Sequence, residues 1–203
     1  MPARKRWRSI LTVALTAALV CSFSLHAAPG MAQARAHAAN GGTIIIDYVG
    51  DFSTLDTGRC YAPQCYSFVH AMFDQLVMYD ELHGNGDNLI PDAAAAMPTI
   101  TNDGKTYTFK LRHDVRFWNG RVATSADWVY SFERIINPKT QAGAASFWLN
   151  IVGANAYAAG KAKHVAGIKA LGQWGLQIDL TAPDASFLNV LAMPFGSVVD
   201  KNQ

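Results

Sequence analysis

From Tyr107 to Leu111 apolar and polar residues take turns, with Tyr107, Phe109 and Leu111 alternating with Thr108 and Lys110. This period of two predicts a strand with one buried and one wet face. Asn102-Asp103-Gly104 ahead of it predicts a tight turn, because Asn and Gly accept positive φ. Val115 and Phe117 carry the apolar line on until Asn119-Gly120 turns the chain again. The period then becomes helical: Trp128, Phe132, Ile135 and Ile136 share one face at i, i+4, i+7 and i+8. Thr124 stands three residues before Asp127, the spacing of a capping box, and Asn137-Pro138 stops the helix.

The same reading gives a coarse layout for the rest. A strand is predicted over Thr43 to Asp47, then an irregular loop through Tyr66. A helix of about Ser67 to Val77 comes next, turning Val69, Met72, Phe73 and Leu76 to the core. His83 to Asn88 reads as a polar turn, with Asp80, Glu81 and Asp87 as solvated charges. A helical segment is expected from Ser146 to Ala159, closed by Gly160. A hairpin over Val165 to Leu180, turning at Gln173-Trp174-Gly175, precedes a last helix from Asp184 to Met193 that ends at Pro194. Helices alternating with hairpins predict an α/β or α+β sandwich. There is no internal repeat, and Ala93 to Ala96 is a local alanine run only.

The run Asp103 to Arg134 resembles the signature region of the family 5 solute-binding proteins of ABC transporters, which capture oligopeptides, dipeptides, nickel complexes and related solutes. Phe73-Asp74-Gln75-Leu76-Val77 is similar to that family's helix end, and Leu89 to Ala94 to its "L-x-P-x-L-A" element. Phe117-Trp118-Asn119-Gly120 with Ala126-Asp127-Trp128-Val129 is similar to its "F-x-(D/N)-G … A-x-D-V" block. Gly167 to Ala170 and Leu176 to Pro183 resemble the next hairpin and its "L-x-x-P" exit. The matches run in order over roughly residues 43 to 200. The resemblance implies a type II periplasmic-binding-protein-like fold, here part of lobe I with its inserted subdomain. It divides the chain into 35–78 in lobe I, 79–182 as the inserted α/β subdomain and 183–203 as the start of a return into lobe I. It also implies an ABC permease as partner, no cofactor and no catalysed reaction.

The N-terminus changes the charge picture. Arg4, Lys5, Arg6 and Arg8 make a basic region, Ile10 to Val20 an apolar stretch too short to span a bilayer comfortably, and Ala32-Gln33-Ala34 a small-x-small site. Residues 1–34 therefore read as a secretory signal. Lipidation at Cys21 is the weaker alternative, since Val20 occupies a position that wants a small residue. The signal holds four of the 17 basic residues and no acidic one, so 13 basic face 15 acidic residues beyond it. The formal charge of +2 becomes about −2, which removes any argument for nucleic-acid binding. The residues beyond the signal suffice for one domain with its own core. By resemblance they are too few for a bilobed binding protein, so the sequence is read as a fragment that exposes apolar surface and has marginal stability.

Candidate chemistry is sparse. No Gly-x-Ser-x-Gly, His-Glu-x-x-His or phosphate-cradling glycine loop occurs, and His37, His70, His83, His113 and His164 lie scattered without metal-ligand spacing. An exported hydrolase is the least favoured reading. Cys60 and Cys65 flank Tyr-Ala-Pro-Gln. A disulfide needs their Cα atoms within about 7 Å, and two separate buried thiols are nearly as well supported. A bridge there would shape the loop rather than hold the domain. Aromatic walls suit a cleft that accepts varied side chains. By resemblance Tyr61 and Tyr66 lead into the cleft, and Phe147 and Trp148 lie where the family places an aromatic near the ligand. For each of these four, core packing is the competing role. Arg59 could meet a ligand carboxylate or stand solvated. Trp118, Trp128 and Trp174 are assigned to structure. By resemblance the favoured solute is a peptide, dipeptide or oligopeptide, captured outside the cytoplasm and delivered to the permease. A nickel complex or another small solute is the alternative, and the residues that choose among them lie largely outside the sequence.

Overall fold

Three successive left-handed residues, Asn102, Asp103 and Gly104 with φ of 53°, 52° and 82°, fold the chain sharply between two strands of the main sheet. Only Gly takes such a φ without steric cost, and Asn and Asp tolerate it. In the computed structural model the described residues are 43, 45, 54–81, 83 and 85–202. Most of the predicted first strand and all of the predicted export signal lie outside them. The described residues from 54 onward fall in one compact unit.

That unit contains helix α1 (Pro63–Met72), hairpin strands β1 (Val77–Asp80) and β2 (Asn85–Pro91), and strands β3 (Thr99–Thr101) and β4 (Thr106–Lys110). Helix α2 (Ser125–Ile136), the short helix α3 (Ala154–Ala158), strands β5 (Ile168–Ala170) and β6 (Gly175–Asp179), and helix α4 (Phe187–Ala192) come after them. Strands β1 and β2 pair antiparallel by themselves. The other four form an antiparallel sheet in the order β3-β4-β6-β5. The register sets Tyr107 opposite Ile178 and Phe109 opposite Leu176, so the alternation in both strands puts its apolar members on one face. Helix α2 covers that face with Trp128, Phe132, Ile135 and Ile136, all at most 2% exposed. Each such side chain contributes about 1.5–3 kcal/mol by leaving water.

Helix α2 starts where the sequence places it. Thr124 and Asp127 form a capping box, and the Asp127 carboxylate accepts both the Thr124 backbone N–H and its hydroxyl at 2.9 Å. The helix ends at Ile136 before Asn137-Pro138.

Elsewhere the boundaries move. The helix expected over Ser67–Val77 runs from Pro63 to Met72, because Pro63 suits the first helical position, where no amide partner is needed. Met72 is 57% exposed rather than inward, while Val77 enters β1. The predicted polar turn His83–Asn88 is largely strand, and Asp80 is buried against His83 Nδ1 at 2.6 Å instead of solvated. The segment Ser146–Ala159 is not one helix: a 3-10 turn spans Ala145–Trp148, and Gly153 at φ 82° separates it from α3. The second hairpin turns earlier than expected, through Gly172 at φ 65°, with Gly175 already in β6. The last helix keeps only Phe187–Ala192. Trp118, assigned to structure from the sequence, is 87% exposed.

Candidate functional site

The loop from Thr54 to Ala62 is tied down before it presents any side chain. Asp56 accepts the Gly58 amide at 2.9 Å on one carboxylate oxygen and pairs with Arg134 of α2 on the other. Burial raises the Asp56 carboxyl, but the Arg134 guanidinium outweighs it and leaves the pKa lowered. Cys60 and Cys65 are joined as a disulfide with Cα atoms 6.0 Å apart, both at most 3% exposed. Their bridge encloses Tyr61 to Gln64 and closes onto the first turn of α1.

At the far end of the chain, Pro194–Gly196 forms a 3-10 turn fastened to the segment before β1. Gln75, buried, donates to the Ser197 hydroxyl at 2.7 Å, and the Val198 amide donates to the Asp74 carbonyl at 3.1 Å. This holds Phe195, 1% exposed, beneath the loop.

Three of the four predicted aromatics meet on Phe195. Phe147 stacks on it with centroids 5.9 Å apart and planes 5° from parallel. Tyr61 and Tyr66 each lie 6.4 Å from it. Tyr61 also approaches Phe147 at 6.5 Å and Tyr66 edge-on at 6.4 Å. Such geometries suit aromatic quadrupoles. Tyr61 is 50% and Phe147 44% exposed, so the cluster has a buried base and an open face. Burial, with Tyr61 beside it, raises the Tyr66 phenol above its ordinary value.

Trp148 is the exception among the four predicted aromatics. It is fully buried, 4.6 Å from Phe132 and 6.4 Å from Phe187, and belongs to the core. Successive residues of a 3-10 turn point about 120° apart, so Phe147 faces outward while its neighbour faces in. Arg59 is exposed and outside the aromatic cluster, its backbone amide donating to the Asp56 carbonyl at 3.0 Å.

Beside Tyr66 lies a cleft of about 470 Å³ lined by His70, Tyr79, Glu81 and Ala192–Pro194 among others. Tyr66 of α1 lines the cleft and belongs to the cluster as well. Sequence reasoning misses Phe195, whose only signal is an apolar residue inside a Pro-x-Gly turn, and Gly143, which lies against Tyr61. Among the described residues no group of three or more His, Cys, Asp or Glu is placed to hold a metal ion. The arrangement offers apolar contact with scattered polar groups.

Comparison with known proteins agrees with this architecture. Residues 88–203, more than half of the chain, match the model of the bacterial extracellular solute-binding proteins, family 5 Middle. The chain is 34% identical over 103 residues to the dipeptide-binding protein DppE of Bacillus subtilis, covering 50% of this chain and 19% of that protein. It is 31% identical over 147 residues to the probable deoxycholate-binding periplasmic protein YgiS of Escherichia coli, covering 71% and 26%. The solved oligopeptide ABC transporter substrate-binding domain of Bacillus anthracis superposes with a TM-score of 0.67 at 30% identity over 73% of this chain and 28% of that one. Listeria monocytogenes OppA bound to peptide gives 0.66 at 28% identity, over 73% and 28%. The chain thus spans well under a third of each of these proteins, which are binding proteins of the periplasmic-binding-protein type. On the family match and these likenesses, the chain belongs to the bacterial extracellular solute-binding proteins, family 5.

Proposed function

We propose that this chain supplies one wall of a solute-capturing cleft in the extracytoplasmic binding component of an ABC importer, and that the solute is a peptide. One observation carries the reading: Tyr61 and Phe147 present half-exposed rings on a buried Phe195, a rigid apolar face with few rotatable bonds to freeze. Such a face accepts side chains of many kinds without charge selection. The relatives DppE and OppA are named for dipeptide and oligopeptide binding. Capture works by differential affinity: a peptide that touches opposed walls only when they close shifts the open–closed equilibrium toward the closed form, which the permease then meets. No residue is assigned a catalytic role.

The relative YgiS, named a probable deoxycholate-binding periplasmic protein, favours a second reading, in which the same apolar wall takes an amphipathic acid. An NMR titration of the chain with di- and tripeptides, an oligopeptide and deoxycholate separates the two. The expected result is saturable shifts of the Tyr61, Tyr66 and Phe147 ring signals with peptides, at the weak affinity of a single wall. Shifts with deoxycholate alone favour the second reading. Ring signals unmoved by every solute defeat both.

A further inference from the structure

Tyr61 is held from two sides, by the disulfide that encloses it and by Gly143. The Cys60–Cys65 bridge closes a loop of which Tyr61 is the first enclosed residue, and Cys65 Sγ also contacts the Ala62 carbonyl at 3.3 Å. Gly143 lies directly against the ring. A Cβ at Gly143 would sit 2.8 Å from both Cβ and Cγ of Tyr61 and 3.1 Å from Cδ1, closer than real side chains approach. Gly143 does not have the positive φ that would require glycine for its backbone. It is also exposed, so it fills no core position. What glycine provides there is room for the Tyr61 ring.

We infer that the Cys60–Cys65 bridge and Gly143 are positioning elements that set the Tyr61 ring against Phe147 and Phe195, and so determine the specificity of the wall. The inference rests on the peptide-binding reading above and adds which residues orient it. The bridge limits the loop's backbone states before a ligand arrives, and Gly143 admits one ring placement that any larger residue displaces. Preorganisation of this kind improves affinity by removing the ordering cost from the binding step. Phe195 provides the floor, since it touches Tyr61, Tyr66 and Phe147 together.

A double-mutant cycle on the whole chain tests this. The variants are Gly143→Ala, the pair Cys60→Ala with Cys65→Ala, Tyr61→Ala, and each of the first two combined with Tyr61→Ala. Without ligand, nuclear Overhauser effects between the Tyr61 ring and the rings of Phe147 and Phe195 are expected in the parent and absent from Gly143→Ala and from the cysteine variant. With a tripeptide, both variants weaken binding by about fivefold or more, and that loss vanishes when Tyr61 is already Ala. Persistence of the ring-to-ring effects in Gly143→Ala, which keeps the bridge, would overturn the inference. An affinity loss of the same size in the Tyr61→Ala background would do so too. If the ring-to-ring effects disappear from the variants while the parent binds no peptide, the peptide reading sinks and the positioning of Tyr61 stands.

Discussion

Arg121 donates two hydrogen bonds to Asp127, from Nη1 to Oδ2 at 2.9 Å and from Nη2 to Oδ1 at 2.6 Å. Asp127 is fully buried in the first turn of α2, so its charge has no water to fall back on. Arg121 also pairs with Asp200, whose second oxygen accepts Asn119 Nδ2 at 2.9 Å, and lies over the Phe117 ring at 4.6 Å. One guanidinium therefore joins the helix start to the segment after Phe195.

Replacing Arg121 by Met leaves a buried carboxylate without its cation. Loss of one partner of such a pair costs about 3–5 kcal/mol. The expected outcome is a lower urea midpoint with an unchanged slope, and faster amide exchange at Val198–Asn202 than elsewhere. A midpoint equal to the parent's would show that the pair contributes nothing net.

Acid weakens the same junction. Burial works to raise the Asp127 carboxyl, but the Arg121 and Thr124 hydrogen bonds outweigh it, and the folded pKa lies below 3.8. Asp200 is held down to about 2, chiefly by its hydrogen bond from Arg121. For a depressed carboxyl the stabilisation is present above the unfolded pKa and disappears as pH falls through the folded one. Asp56 and Asp179 act in the same direction, while Asp92, raised by burial, opposes them. Thermal unfolding followed by circular dichroism is thus expected to keep its midpoint down to about pH 4 and to lose it between there and about pH 2. Arg121→Met should flatten that loss.

Phe147 and Trp148, neighbours in sequence, are expected to separate the proposed binding role from stability. Trp148→Ala opens a cavity beside Phe132 and Phe187 and is expected to cost about 3–5 kcal/mol. Phe147→Ala, on a half-exposed ring, is expected to shift the denaturation midpoint far less while weakening the peptide-induced signals. Equal losses of stability in the two variants would contradict the placement of their rings.

Trp118 gives a negative control. Its ring is 87% exposed, so Trp118→Ala is expected to change stability by no more than about 0.5 kcal/mol. In the emission spectrum it should remove a solvent-exposed component and leave the blue-shifted signal of Trp128 and Trp148.

What the sequence reveals and what it conceals divides along the range of the interactions. The turn at Asn102–Gly104, the alternation of β4 and the capped start of α2 are local, and their residue types leave few options. Helix α1 begins ahead of its periodic stretch because Pro63 starts a helix well but contributes nothing to a periodicity count. Strand β2 is hidden in the sequence since Asn85-Gly86-Asp87-Asn88 has the composition of a turn, and only its pairing with β1 makes it strand. In the candidate site, Tyr61, Tyr66 and Phe147 are legible as residue types placed by resemblance, and the structure brings their rings together on Phe195. Phe195 is not, because its role depends on contacts to residues far away in sequence. Trp148 misleads because adjacency in sequence says nothing about which of two neighbours a 3-10 turn directs inward.

The sheet order β3-β4-β6-β5 also bears on how the chain reaches this state. β3 and β4 meet across a four-residue turn, whereas β4 meets β6 only after α2, α3 and β5 have been made. Pairings of that separation demand loop closure before they return any stability. The hairpin at Asn102–Gly104 is thus free to form early during synthesis. The apolar residues of β4 have to wait for Leu176 and Ile178 opposite them, and Tyr107 also for Phe187. Pulse-labelled hydrogen exchange during refolding is expected to protect amides of β3 and α2 before those of β5 and β6.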